Sequence, residues 1–262
     1  MTPVRSSSPV TSGTTPLGIS DEKRASQWVQ RMFSNIARRY DFLNHLLSFN
    51  IDRGWRRVLL RKLAPILGRP DARVLDLCCG TGDVLLDFKT VARAQLLGAD
   101  FCHPMLLRAQ AKAGQQGFRA LLLEADALQL PFADASLDCI AISFGFRNLV
   151  NYDAGLRELY RVLKAGGQVA ILEFSHPPGL FMRLAYGFYL HLVLPTVGAL
   201  ISGSREAYGY LPSSIRKFPT ASQLKEMMGA AGFEQPRFTL LTGGIAALHI
   251  GTKFPVGSGV SQ

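Results

Sequence analysis

The apolar positions of the chain change their period near residue 73. Between Asp21 and Tyr40, the residues Trp28, Met32, Phe33, Ile36 and Tyr40 recur at helical spacing, while Arg24, Arg31 and Arg38 lie seven apart on another face. A second amphipathic stretch sets Trp55, Leu59, Leu63 and Ile66–Leu67 beside Arg53, Arg56, Arg57, Arg61 and Lys62, and Pro70–Asp71 punctuates its end. From there, strand-like runs at Arg73–Leu77, Gln95–Asp100, Arg119–Glu124, Leu137–Ser143 and Gln168–Phe174 alternate with helical patterns around 83–93, 104–114 and 153–164. Such alternation predicts an α/β domain with a parallel sheet covered on both faces. The end of the chain breaks the pattern. Ser222–Ala231 reads as a helix stopped by Gly232, followed by strands near Pro236–Leu241 and Ala246–Lys253. The segment Thr242–Ile245 between them is too short for a parallel crossover and predicts an antiparallel hairpin. Residues 1–20, rich in Ser, Thr, Pro and Gly without an apolar period, read as a disordered tail, and 255–262 as a flexible one. One domain is expected over 21–254.

Composition narrows the class. A chain of 262 residues can bury a full core, and 48% hydrophobic with 18% charged residues excludes wholesale disorder. Cys78, Cys79, Cys102 and Cys139 form no CxxC pair, so neither a disulfide framework, a zinc ribbon nor any other metal site is expected. No early stretch resembles a signal peptide and no apolar run is long enough to span a bilayer, so the expectation is a reduced, cytoplasmic protein. Residues 1–73 hold 13 basic and 5 acidic residues of a chain whose net charge is +10. This excess attracts polyanions, an RNA or an anionic membrane alike, or forms a solvated helical face.

The candidate chemistry lies in Val74-Leu75-Asp76-Leu77-Cys78-Cys79-Gly80-Thr81-Gly82-Asp83, a strand running through a glycine loop into a helix. The G-x-G-x-x-G spacing of a pyrophosphate cradle is absent, and Asp76 and Asp83 on either side would repel a diphosphate. They suit a cationic ligand. Asp100 ends the second strand, 24 residues after Asp76, where a carboxylate can accept both hydroxyls of a ribose. Asp126, beside Ala127, falls at the same edge of the sheet. Each Asp alone could be a helix cap. Together with the loop they fit an adenosine carrying a positive sulfonium, S-adenosylmethionine.

The chain resembles the class I methyltransferases, whose first motif is close to D-x-G-x-G-x-G, with Cys78 at the first glycine. More narrowly, it resembles the ubiquinone/menaquinone biosynthesis C-methyltransferase family over about residues 28–253. The resemblance is carried by Met32-Phe33, Ile36-Ala37, Tyr40-Asp41, Asn44, Leu47-Ser48-Phe49 and Trp55-Arg56-Arg57. It continues through Asp126-Ala127 with Leu130-Pro131-Phe132, Ser143-Phe144-Gly145-Phe146-Arg147-Asn148, and Arg161–Gly167 leading to Leu172-Glu173-Phe174-Ser175. Tyr208–Ile215 and Thr242–His249 complete it. The resemblance implies a mostly parallel seven-stranded, Rossmann-like sheet with an antiparallel last strand and an N-terminal helical extension. It also implies an S-adenosylmethionine site lined by Gly80, Thr81, Gly82, Asp100, Asp126, Ala127 and Ser143.

Members of that family methylate a ring carbon of a demethylated quinol with a polyprenyl tail. The enzyme must align an in-line displacement and make the ring more nucleophilic. Arg147 and Asn148 closely follow Ser143. Arg147 is the candidate to stabilise a quinol oxyanion and Asn148 to orient it, the alternative being an ion pair of Arg147 with Asp138 or another core carboxylate. A guanidinium is no general base unless through a bound water. Tyr40 is a further catalytic candidate on a segment, 21–70, that would fold over the site as a lid facing the membrane. His176 and His249 could relay a proton, while His191 reads as packing.

The strongly apolar stretch from Leu180 to Ile201, within a substrate-binding insertion over 177–220, suits an isoprenoid channel or a buried helix. With the basic N-terminal helices it implies reversible docking on the inner, anionic face of the cytoplasmic membrane. Nucleic acid is not the expected partner: no Pro-Cys pair offers a C5-attacking nucleophile, and the Asn-Pro-Pro-aromatic signature is missing. A non-enzymatic adaptor is disfavoured by the intact loop, Asp100 and Asp126. The expected reaction is demethylmenaquinol to menaquinol, with the ubiquinone-pathway benzoquinol, or more remotely an RNA methylation, as the alternative. A homo-oligomer is compatible with the sequence but not specified by it.

Overall fold

The computed structural model describes residues 13–37, 40, 41, 48, 50–190 and 205–254, with no side-chain detail for 205–208. His191, Asn44, Leu47, Phe49, Arg38 and the end segments 1–12 and 255–262 lie outside the described residues, as does the apolar stretch from 191 to 201.

Helix α1 (Glu22–Ile36) starts at Asp21, whose side chain accepts from the Arg24 amide at 2.7 Å. It buries Ala25, Val29 and Met32, with Trp28, Phe33 and Ile36 packed around them. Helix α2 (Ile51–Leu67) buries Trp55, Leu59, Leu63 and Leu67, one stripe at the expected spacing. The sheet follows. Strands β1 (Arg73–Leu77), β2 (Gln95–Asp100), β3 (Leu121–Glu124), β4 (Leu137–Ser143) and β5 (Leu163–Phe174) are parallel. Helices α3 (Asp83–Lys89), α4 (His103–Gln115) and α5 (Tyr152–Val162) connect them. After β5 come α6 (Leu180–Phe188), α7 (Arg205–Lys217) and α8 (Ala221–Ala230), then the hairpin β6 (Glu234–Leu241) and β7 (Ala246–Thr252). The strand order is β3-β2-β1-β4-β5-β7-β6, with β7 antiparallel to both neighbours.

Both faces are covered, which explains the almost uninterrupted apolar runs of β1 and β4. Leu75, Leu77, Ile140 and Ile142 pack toward α5, where Leu156, Leu159 and Val162 are fully buried. Val74, Cys139 and Ala141 pack toward α2 and α3, against Leu59, Leu63 and Phe88. The strand order reverses between β1 and β4, where Leu77 pairs with Ile142, and ligands of open α/β sheets bind beyond the strand ends at such a point.

Two boundaries differ most from the sequence reading. The N-terminal tail does not extend to residue 20. Thr14 is buried, its amide donates to the Leu149 carbonyl at 2.8 Å, and its hydroxyl meets Tyr210 Oη at 2.9 Å. Two polar anchors hold this strap, so no apolar period betrays it. Strand β5 begins at Leu163 rather than Gln168, because Leu163 pairs back onto Leu137 ahead of a register shift.

Candidate active site

The end of β1 turns sharply into α3. Gly82 caps that helix with φ +84, and a Cβ there would approach Ala109 to 3.1 Å. Cys78, at the first glycine position of the motif, takes φ +56, and Phe144, just past β4, takes φ +58. Side chains with a Cβ rarely adopt this region. The two turns touch through Gly145, where a Cβ would fall 2.3 Å from that of Cys78. Strained backbone thus gathers where the strand order reverses.

Two cavities meet there. The smaller, about 70 Å³, is lined by Asp100, Asp126, Ala127, Leu128, Met105 and Asn148. The larger, about 330 Å³, is lined by Asp76, Thr81 and Asp83, by Ser48, Asp52, Arg56 and Arg147, and by aromatic and aliphatic side chains. Tyr40, Cys78, Gly80, Ser143 and Phe144 line both and form their junction.

Asp100 shapes the smaller cavity. Its carboxylate accepts from the Gly80 amide at 2.8 Å and the Cys102 amide at 2.9 Å, and burial raises its pKa to about 6 despite those bonds. Asp126 accepts from the Leu128 amide at 2.9 Å, so each of these carboxylates both caps backbone and faces the cavity. Asp76 sits on the apolar α2–α3 side of the sheet. Burial, then the charge of Asp100, pushes its pKa well above the usual range, and its Oδ2 has no hydrogen-bond partner among the described residues. Asp83 differs from the sequence reading. Its charge is engaged by Lys112 and by Arg56 at 3.5 Å, so it is not a carboxylate awaiting a cation. Lys112 also holds Asp41 at 3.0 Å, and Thr81 donates to Asp41, which ties the segment bearing Tyr40 to the glycine loop.

In the larger cavity, Trp55, Phe144 and Phe174 form a ring cluster with centroids 4.8 to 6.2 Å apart. Arg147 lies beside it, 5.2 Å above the Phe174 ring. Its Nη1 donates to Glu173 Oε1 at 2.7 Å and to the Phe144 carbonyl. Burial alone would lower the Arg147 pKa, but Glu173, Tyr40 and Tyr210 hold it above the ordinary value, so the guanidinium stays charged. Four polar atoms around this cavity are buried without a partner among the described residues: Arg147 Nε, Tyr186 Oη, Ser143 Oγ and Asp76 Oδ2.

These features have close counterparts among known proteins. The ubiE/COQ5 methyltransferase family profile matches residues 20–253. A Thermus thermophilus protein named demethylmenaquinone methyltransferase is 50% identical over 223 residues, 85% of this chain and 100% of that one. A Geotalea daltonii protein named ubiquinone/menaquinone biosynthesis C-methyltransferase UbiE is 43% identical, over 86% of this chain and 96% of that one. This chain belongs to the ubiE/COQ5 methyltransferase family. Its fold is shared with a SAM-dependent methyltransferase of Thermotoga maritima, at 19% identity and TM-score 0.60 over 85% of this chain and 99% of that one.

The site fits the S-adenosylmethionine on which ubiE/COQ5 chemistry depends. Among the described residues, Asp76 and Ser143 hold buried oxygens without partners, and the space above Gly80 is bounded by the Tyr40 ring, 3.8 Å from where a Cβ would stand. Gly80, Thr81, Asp100, Asp126, Ala127 and Ser143 line one or both of the two cavities. Gly82 does not: it lines neither cavity and serves the turn. Of the catalytic candidates, Tyr40 and Arg147 reach the larger cavity. Asn148 lines only the smaller one and accepts from Tyr210 Oη at 3.0 Å. Asp138 is taken by Lys164 and Arg69, and the ion pair that the alternative reading allowed forms with another core carboxylate, Glu173. His176, bonded to the Phe218 carbonyl, and His249, bonded to the Ala221 carbonyl, line neither of these two cavities. Sequence reading passed over Tyr186, Glu173, Trp55 and Phe174 as site residues. The last three lie in or beside motifs already singled out, but nothing in the pattern shows which way they point.

Proposed function

We propose that this chain transfers the methyl group of S-adenosylmethionine to a ring carbon of a polyprenylated demethylated quinol, with demethylmenaquinol as the acceptor. The observation that carries this reading is the junction of the two cavities. One side offers carboxylates and a glycine loop, and the other an aromatic chamber with Arg147 Nε and Tyr186 Oη unpaired on its wall. A chamber walled by aromatic rings, with buried polar atoms left unpaired among the described residues, suits a flat ring bearing oxygens.

Bound S-adenosylmethionine supplies an already activated methyl group. Asp100 would accept the ribose hydroxyls, Asp126–Ala127 would border the adenine, and Thr81 with the loop amides would hold the methionine part. Asp76 places a carboxyl group where positive charge arrives, and that charge favours its ionised form. Trp55, Phe144 and Phe174 exclude water and hold the acceptor ring flat. Arg147 stabilises the oxyanion that develops as the quinol hydroxyl loses its proton, and Tyr186 donates to a ring oxygen. Remaining cationic, Arg147 does not itself take that proton. Asn148 acts from the smaller cavity and, through Tyr210, holds the Thr14 strap.

The relatives named for both ubiquinone and menaquinone biosynthesis favour a second acceptor, the corresponding benzoquinol. Among the described residues no helix is long and apolar enough to cross a membrane. The lipid acceptor and the basic N-terminal segment support peripheral contact with an anionic membrane, on the cytoplasmic side. Quinone profiling by mass spectrometry after deletion of the gene tests the assignment. A naphthoquinone lighter by one methyl accumulates if it holds, and an unchanged quinone pool contradicts it.

A further inference from the structure

Helix α6 has two apolar faces in different surroundings. Met182, Ala185, Tyr186 and Tyr189 line the larger cavity. Leu180, Phe181, Leu184 and Phe188 turn outward and are 62%, 82%, 65% and 62% exposed. Residues 180, 184 and 188 form one stripe four apart, with Phe181 at its side. A helix on the surface of a globular domain ordinarily turns polar side chains to water. Four large apolar side chains within nine residues do the reverse, and contiguous exposed surface of that kind marks an interaction site.

The charge around the stripe selects its partner. The sequence carries no Asp or Glu between Glu173 and Glu206. Arg183 is exposed on α6 itself, and Arg53 and Arg57 are exposed on α2, whose Ile51 and Trp55 line the same cavity. A symmetric contact with a second copy would set cationic rim against cationic rim, in a chain already at +10. Acyl chains beneath anionic headgroups match both the stripe and its rim.

We infer that α6 seats Leu180, Phe181, Leu184 and Phe188 in the acyl layer of an anionic bilayer, with its opposite face, among the described residues, lining the larger cavity. The lipid acceptor then passes beside α6 without crossing water. The identity of the lipid rests on the function proposed above, whereas the seating does not.

The test uses the full chain, sedimented with vesicles of phosphatidylglycerol and phosphatidylcholine in equal parts and with phosphatidylcholine alone. The parent chain pellets with the anionic vesicles. Phe181→Ser weakens its partitioning by about tenfold, and the triple variant Phe181→Ser, Leu184→Ser, Phe188→Ser by more. Turnover of a short-tailed, water-soluble demethylmenaquinol analogue is unchanged in both, since none of the three residues lines the cavity. The single variant, altered at an exposed position, carries the test if the triple variant does not fold. Undiminished vesicle binding by the variants overturns the inference, and so does a parent that binds no vesicles. A dimer dissociated by the substitutions while vesicle binding persists also overturns it. Vesicle binding that depends on α6, in a protein that methylates neither soluble nor embedded acceptor, upholds the seating and overturns the proposed function instead.

Discussion

Glu173 holds Arg147 by two routes. Its Oε1 accepts from the guanidinium at 2.7 Å and its Oε2 from the Arg147 amide at 3.2 Å, and neither side chain is more than 7% exposed. One carboxylate therefore fixes both the charge and the backbone of the residue that faces the aromatic chamber, and leaves Arg147 Nε free to meet an acceptor atom. Breaking a buried pair by removing one charge is costly because the other stays buried alone. Glu173→Gln is expected to cost about 3 kcal/mol of stability and to lower kcat more than it raises the donor Kd. Thermal unfolding and isothermal titration check this. A kcat loss no larger than that of a control variant of equal stability would show that Glu173 serves the fold alone.

Arg147→Lys keeps the charge but loses the planar fork that reaches Glu173 and the cavity together. Its kcat on quinol should fall by about 100-fold with donor affinity retained. Parent-like turnover in steady-state assays would remove Arg147 from the chemistry.

Tyr186 carries a buried hydroxyl without a partner among the described residues, and burial raises its pKa above the ordinary phenol value. Tyr186→Phe should leave stability unchanged or slightly improved, since an unsatisfied buried group is deleted, while KM for the quinol rises about tenfold. An unchanged KM would mean that the hydroxyl faces no acceptor oxygen.

Asp100 makes donor binding depend on pH. With its pKa raised by burial from 3.8 to about 6, it is protonated in the free protein at mildly acid pH and must ionise to accept two hydroxyls. Donor affinity should therefore fall as pH drops below about 6, with proton release measurable by calorimetry in buffers of different ionisation enthalpy. For the protein without donor the sign is opposite. The folded state holds the proton more tightly than the unfolded chain, so this group contributes stability below pH 3.8, and about 3 kcal/mol of it is lost as pH rises through about 6. In Asp100→Asn the part of both dependences centred near pH 6 should disappear, and that of Asp76 should remain.

Cys78 stands at φ +56 in a position where its motif carries glycine. Burial, then Asp100 and Asp76, keeps its thiol protonated, which argues against a nucleophilic role. Cys78→Gly should raise stability by about 0.5–1 kcal/mol with activity intact. Lost activity at full stability would assign the thiol a role that the geometry does not show.

The sheet was legible because its strands are short apolar runs between loop signals, and Thr242–Ile245 is too short for anything but a hairpin. The carboxylates at the strand ends were legible for the same reason, since strand ends locate them. The Arg147–Glu173 pair was not. The two residues lie 26 apart, and only the register of β4 on β5, with Ser143 opposite Leu172, brings them together. Tyr186 was hidden too: Tyr186 and Tyr189 face the cavity and Phe188 does not, and a uniformly apolar helix gives no sign of which face is which. Thr14 escaped notice because its anchors are polar and lie at Leu149 and Tyr210, far along the chain.

The most direct test gives the purified chain S-adenosylmethionine labelled in its methyl group together with reduced demethylmenaquinol, and follows the label by mass spectrometry. The account requires the label on a ring carbon of the naphthoquinol, with transfer greatly slowed in Arg147→Lys. Label that stays on the donor, or that appears on an oxygen, contradicts it.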